Sequence, residues 1–333
     1  MNELKAIAQA MVADGKGILA ADESFSTANK RFQALGIPQT EEMRRAYREM
    51  LFTTPDVGQF FSGVILFDET IRQSTQRGVP FTQALAEAGI IPGIKVDLGA
   101  KPLALTPGEL ITEGLDGLRD RLIEYYSLGA RFAKWRAVIS IGDRLPSARC
   151  IEVNAHALAR YAALCQENGL VPIVEPEILM DGSHTLEHSF EVHRVVLKAV
   201  FQQLYLQGIA LDQMILKPSM VIPGQASSAQ VGVEQVARAT VQCLLDFVPA
   251  SVPGCAFLSG GQRDEQATAH LNAMNALYRG QLPWKLTFSY GRALQQAAMQ
   301  TWMGQSDNVA AAQNVLYHRA ESNSLAALGK LAA

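Results

Sequence analysis

Eight short apolar runs, separated by stretches long enough for a helix, recur along this chain and restrict it to very few folds. They are GILAADE (17–23), GVILFDE (63–69), IPGIKVD (91–97), RFAKWRAV (131–138), VPIVEPE (171–177), MILKPSMV (214–221), CAFLSGG (255–261) and KLTFSYG (285–291). Between them lie segments such as EEMRRAYREMLF, AHALARYAALCQENG and VEQVARATVQCLLDF, whose apolar residues recur at helical spacing. Strand and helix in alternation imply a parallel sheet, either closed into a barrel or wound as an open sheet. A small or charged residue recurs at the C-terminal end of the runs, which favours an α/β fold of the (β/α)8 TIM-barrel type. An extra helix is expected ahead of the first run, where Leu4, Ile7, Ala8, Met11 and Val12 share helical spacing and Gly15 supplies a stop. Further helices are expected after the last run. Length alone would suggest two domains for 333 residues, but no Pro/Gly/Ser-rich linker or low-complexity segment divides the chain. One domain spanning 1–333 is therefore expected.

The charge balance removes whole classes of partner. A net charge of -3, with 18% charged residues, leaves no basic surplus to neutralise a nucleic-acid backbone or an anionic membrane surface. The N-terminal stretch lacks the apolar core and cleavage site of a secretion signal, and no apolar run approaches the ~18 residues of a membrane span. Cys150, Cys165, Cys243 and Cys255 show no zinc spacing and are too few for a disulfide scaffold, which fits a reducing cytoplasm.

Side chains alternate faces along a strand, so parity sorts the polar residues buried in these runs. Phe132, Lys134 and Arg136 share one face, as do Val171, Ile173, Glu175 and Glu177, and again Ile215, Lys217 and Ser219. The outer face of a barrel strand is covered by helices, where an unpaired charge costs several kcal/mol, roughly. The charged faces are therefore expected to point inward. At the strands' C-terminal ends they reach the mouth, where enzymes of this fold carry their active sites. Asp22, Lys95, Lys134, Arg136, Glu175, Glu177 and Lys217 would converge there. Ion pairs that merely hold the rim are the plain alternative for any one of them, but seven on one rim point to chemistry.

A lysine amine attacks a ketone only when neutral, and a neighbouring cation with partial desolvation favours that form. Lys134 supplies the cation beside Lys217, while Glu175 and Glu177 are suited to moving protons as an imine forms. The imine withdraws electrons, so an adjacent carbon–carbon bond can break. A metal held by histidines is the other way to stabilise the resulting carbanion. His156, His184, His188, His193, His270 and His318 all fall outside the eight runs, so neither a metal nor another cofactor is expected. Phosphate sites are suggested by FLSGG and FSYGR, with Ser259, Gly260, Gly261, Tyr290, Gly291 and Arg292. Ser24, Thr27, Arg31, Lys95 and Arg136 form a second candidate across the mouth. The substrate implied is anionic at both ends.

Taken in order, GILAADES, SGVILF, GIKVD, EGLDGL, FAKWR, NGLVPIVEPEIL, LKPSMV, CAFLSGGQ and LTFSYGRALQ resemble class I fructose-bisphosphate aldolases of the animal and plant type over nearly the whole chain. The resemblance implies reversible cleavage of fructose 1,6-bisphosphate to dihydroxyacetone phosphate and glyceraldehyde 3-phosphate. It also implies Lys217 as the imine lysine, Glu175 and Glu177 as proton-transfer carboxylates, and Asp22 and Lys134 as groups that position the reacting hydroxyls. Ser259, Gly260, Gly291 and Arg292 resemble the site for the phosphate on carbon 1; Ser24, Thr27, Lys95 and Arg136 resemble the region for that on carbon 6. A homotetramer is implied by resemblance alone. Trp135 is expected to face the helix layer. The chain departs from the animal pattern at Phe25, Thr27 and Leu98. It also ends at GKLAA, without the tail whose terminal tyrosine assists enamine protonation, so another proton donor or a slower step is expected. Two rivals remain: an aldolase for fructose 1-phosphate or sedoheptulose 1,7-bisphosphate, and a barrel kept for binding after loss of catalysis.

Overall fold

A computed structural model describes residues 3–229 and 231–332. Its ten strands are β1 (Gly17–Ala20), β2 (Phe61–Leu66), β3 (Ile91–Lys95), β4 (Ala100–Pro102), β5 (Leu110–Thr112), β6 (Phe132–Ile139), β7 (Val171–Ile178), β8 (Ile215–Leu216), β9 (Gly254–Phe257) and β10 (Lys285–Tyr290). Eight of them close into a parallel barrel in the order β1-β10-β9-β8-β7-β6-β3-β2, and β4 and β5 form a separate antiparallel hairpin. Each barrel strand coincides with one of the eight apolar runs. The runs overreach at their ends, most of all at MILKPSMV, where only Ile215 and Leu216 are strand. Pro218 has no N–H to continue the ladder, although Lys217 N–H still donates to Val174 O at 2.8 Å.

Alternation along the strands separates two apolar layers. Residues on the outer face, among them Leu19, Val64, Ile94, Ala133, Trp135, Val174, Leu216 and Phe257, join the large core beneath the helices. Trp135 lies there with its ring 5.6 Å from that of Tyr161, the packing role expected of it. The inner face supplies a smaller cluster of Ile18, Ile65, Phe132, Val171, Ile173, Ile215 and Ala256. The first helix, Glu3–Met11, ends before Gly15, whose φ of 70° suits a residue without a Cβ. It adds Leu4, Ala8 and Met11 to the inner cluster, closing the barrel at the strands' N-terminal ends. From floor to mouth the interior therefore changes from mainly apolar to densely charged.

The helices form where amphipathic spacing predicts them, as at Glu41–Phe52, Ala148–Glu167 and Val233–Phe247. The first two begin at side-chain caps: Thr40 accepts from Met43 N–H at 3.2 Å and Ser147 from Cys150 N–H at 3.1 Å. After the last barrel strand come Arg292–Trp302 and Val309–Ala327, the expected C-terminal helices. No described helix is long and apolar enough to cross a membrane.

Candidate active site

A cavity of about 880 Å³ opens at the C-terminal ends of the barrel strands. Alternation brings the charged residues there. Lys134 and Arg136 on β6, Glu175 and Glu177 on β7, and Lys217 just past β8 all point inward, above Phe132, Ile173 and Ile215 of the same strands. The register sets the levels, with Arg136 opposite Glu175 and Lys134 opposite Lys95.

The deepest charges are interlocked. Glu175 lies between two ammonium groups, its Oε1 3.2 Å from Lys217 Nζ and its Oε2 3.4 Å from Lys134 Nζ. Lys134 Nζ also reaches Asp22 Oδ2 at 2.7 Å. Lys134, Glu175 and Lys217 are buried, so these interactions act with little solvent screening. Burial works against the Lys134 ammonium, but Asp22, Glu175 and Asp97 outweigh it and hold its pKa above the ordinary lysine value. Burial likewise opposes the Asp22 carboxylate, yet Lys134, Lys217 and Lys95 bring it down to about 2. Glu175 Oε2 is buried and accepts no well-aligned hydrogen bond. It is available to exchange a proton with a reacting atom.

Around this centre several of the cations are balanced by carboxylates. Arg136 Nε pairs with Glu177 Oε2, and Glu177 overcomes the burial that would otherwise disfavour the guanidinium's charge, raising the arginine's pKa. Lys95 Nζ lies 2.8 Å from Asp97 Oδ1. Arg31 Nη1 lies 2.6 Å from Glu23 Oε1, while Glu23 Oε2 receives buried Arg48 at 2.7 Å. The start of the helix Phe25–Ala34 gathers small hydroxyls, with its N-cap Ser24 Oγ 3.1 Å from Ser26 Oγ and 3.3 Å from Thr27 Oγ1.

Opposite these, the loop after β9 carries Ser259, Gly260 and Gly261. The two glycines have φ of 57° and 90°, in the left-handed region that L side chains rarely adopt. A Cβ on Gly261 would also meet Met180 Sδ at 3.1 Å, Gln225 Nε2 at 3.2 Å and Arg292 Nη2 at 3.5 Å. The loop is braced from behind, since Gln262 Nε2 donates to Ser259 O at 3.0 Å and Gln262 Oε1 contacts His270 Nδ1 at 2.6 Å. Gly291 and Arg292 open the next helix and complete this side.

Fifteen of the sixteen side chains and glycines expected at the site line this one cavity. Tyr290 is the correction. It faces the helix layer, fully buried in the outer core, and its hydroxyl donates to Ala267 O at 3.0 Å. Strand alternation places Ser289 inside instead, and its buried Oγ has no hydrogen-bond partner. Sequence reasoning also missed Asp97, which accepts from Gly99 N–H at 3.1 Å and from Arg136 N–H at 3.2 Å besides holding Lys95. Glu23, Lys101 and Gln225 were missed as well. Parity marks Ser289 and Asp97, while Lys101 and Gln225 belong to no barrel strand.

Comparison with known proteins identifies the family. A family model for fructose-bisphosphate aldolase class I matches residues 3–333. A probable fructose-bisphosphate aldolase class 1 of Xanthomonas campestris pv. campestris is 62% identical over 331 residues, covering 99% of this chain and 98% of its own. The cytosolic fructose-bisphosphate aldolase 4 of Arabidopsis thaliana is 53% identical, covering 98% of this chain and 83% of its own. A solved fructose-bisphosphate aldolase of Plasmodium falciparum, in a ternary complex with TRAP and a small-molecule inhibitor, superposes with a TM-score of 0.98. It is 49% identical, with 99% of this chain and 95% of that one covered. The chain belongs to the class I fructose-bisphosphate aldolases, lyases that reversibly cleave D-fructose 1,6-bisphosphate to dihydroxyacetone phosphate and D-glyceraldehyde 3-phosphate through a lysine Schiff base.

Proposed function

We propose that Lys217 is the lysine that forms this Schiff base, with Glu175 and Glu177 moving protons and Lys134 and Asp22 orienting the reacting hydroxyls. The observation that carries the assignment is the sharing of one buried carboxylate, Glu175, by Lys217 at 3.2 Å and Lys134 at 3.4 Å. Asp22 holds Lys134 charged, and Lys217 is the amine proposed to attack the ketone. Glu175, next to both, takes up the Lys217 proton as the amine adds to the ketone and returns it as water leaves the carbinolamine. The protonated imine then accepts the electron pair released when the bond between carbons 3 and 4 breaks, and the hydroxyl on carbon 4 gives its proton to the Glu175 carboxylate as it becomes the aldehyde. Borohydride reduction in the presence of dihydroxyacetone phosphate is expected to fix an adduct on Lys217. An unmodified Lys217, with cleavage dependent on a divalent metal, would overturn the assignment.

The phosphate on carbon 1 is assigned to Ser259, Gly260, Gly261, Gly291 and Arg292, where backbone N–H groups and a guanidinium converge. The phosphate on carbon 6 is assigned to the side formed by Ser24, Thr27, Arg31, Lys95 and Arg136. Residues 1–333 are read as one domain, supported by barrel strands spread from Gly17 to Tyr290 and by the packing of Val309–Ala327 against β1. A homo-oligomer, by resemblance a tetramer, is also proposed. Exposed Val195, Tyr205 and Leu206 on one helix and Leu245 on its neighbour supply apolar surface for such contacts. A cytoplasmic location is proposed from the four buried free cysteines and from the likeness to a cytosolic relative.

A further inference from the structure

Seven cationic side chains line the cavity, and five already have a carboxylate partner. Arg31 is paired with Glu23, Lys95 with Asp97, Lys134 with Asp22 and Glu175, Arg136 with Glu177, and Lys217 with Glu175. Among the described residues only Lys101 and Arg292 line the cavity as cations without an ion pair. Arg292 stands with the glycine loop, at the site assigned to one phosphate. Lys101 is therefore the remaining uncompensated positive charge for a substrate with a phosphate at each end.

The topology places Lys101 across from that loop. In the closed ring of eight strands, β3 stands four places from β9, which is diametrically opposite. Lys101 lies in the β4–β5 hairpin that follows β3, and the hairpin is tied to the wall. Thr112 Oγ1 donates to Arg136 O at 2.7 Å, and Asp97, which accepts from Gly99 N–H, also accepts from Arg136 N–H at 3.2 Å. These bonds keep the base of the hairpin beside Lys95 and Arg136, the side assigned to carbon 6.

We propose that Lys101 binds the phosphate on carbon 6 of fructose 1,6-bisphosphate, as a second ammonium beside Lys95. The proposal rests on the reading of the cavity given above and extends it to a residue outside the barrel strands. Lys95 is partly neutralised by Asp97, whereas the exposed Lys101 ammonium brings a full charge that orders as substrate arrives. Its loss should weaken binding of the bisphosphate without touching the groups at the bond being broken.

The test compares fructose 1,6-bisphosphate with fructose 1-phosphate, which lacks the distal phosphate. Lys101→Met is expected to raise KM for the bisphosphate about five- to tenfold, with kcat preserved and the constants for fructose 1-phosphate unchanged. Lys101→Arg, which restores the charge, is expected to remain close to the parent. An unchanged KM for the bisphosphate, or an equal rise on both sugars, overturns the proposal. Borohydride labelling with dihydroxyacetone phosphate, which has no distal phosphate, reports on Lys217 alone. Failure of that labelling in the parent enzyme would count against the Lys217 assignment, whereas normal labelling with an unmoved KM in Lys101→Met would count against this one.

Discussion

At the residue scale the chemistry turns on how few carboxylates serve how many cations. Glu175 is shared between Lys134 and Lys217, so Glu175→Gln would remove the charge common to both while keeping the side chain's shape. The variant is expected to fold and to lose kcat by about 10²- to 10⁴-fold, the range for a positioned proton-transfer group. Steady-state kinetics beside a circular-dichroism spectrum checks this; near-parental kcat would mean that Glu175 only balances charge. These residues were legible because alternation along β6 and β7 forced Lys134, Glu175 and Glu177 to one face, and because burial of a charge beneath helices is prohibitive. The same rule applied to β10 selects Ser289 over Tyr290, and the motif FSYGR drew attention to the wrong member. Lys101 and Gln225 carried no such mark, since their loops have no periodicity that ties a side chain to a face.

At the element scale, the eight strands were readable because each is an apolar run bounded by helix-length segments. The β4–β5 hairpin was not, since three-residue strands hold too little alternation to register. Inside the barrel the ring of Phe132 lies over glycines of β2 and β3. A Cβ on Gly93 would sit 2.2 Å from that ring, and one on Gly63 would sit 3.0 Å from it. Gly93→Ala therefore has to displace a fully buried phenylalanine, at a cost of about 1–3 kcal/mol or more. Denaturant unfolding should show the loss as a lower midpoint with an unchanged slope. An unaltered midpoint would mean that the inner layer repacks freely.

For the whole molecule, acid sensitivity follows from groups buried in the form that acid removes. His193 and His270 are both held near pKa 4 by burial, with the Ser189 carbonyl acting weakly in the other direction on His193. The unfolded chain binds protons at these histidines near 6.5, before the folded one does, so stability present above 6.5 is lost as pH falls toward 4. Asp22, ordinarily near 3.8 and here about 2, adds a second loss as pH falls between those values, worth about 2 kcal/mol. Urea midpoints measured from pH 8 to pH 4 are expected to decline from about pH 6.5, and His193→Gln should flatten part of that decline. With Phe132 and the helix Glu3–Met11 stopping the lower end, the barrel is a cup with a single doorway rather than a tunnel. Both trioses leave through the opening the hexose entered. The fragment held on the proposed imine lysine is expected to leave second, since its bond to Lys217 must first be hydrolysed.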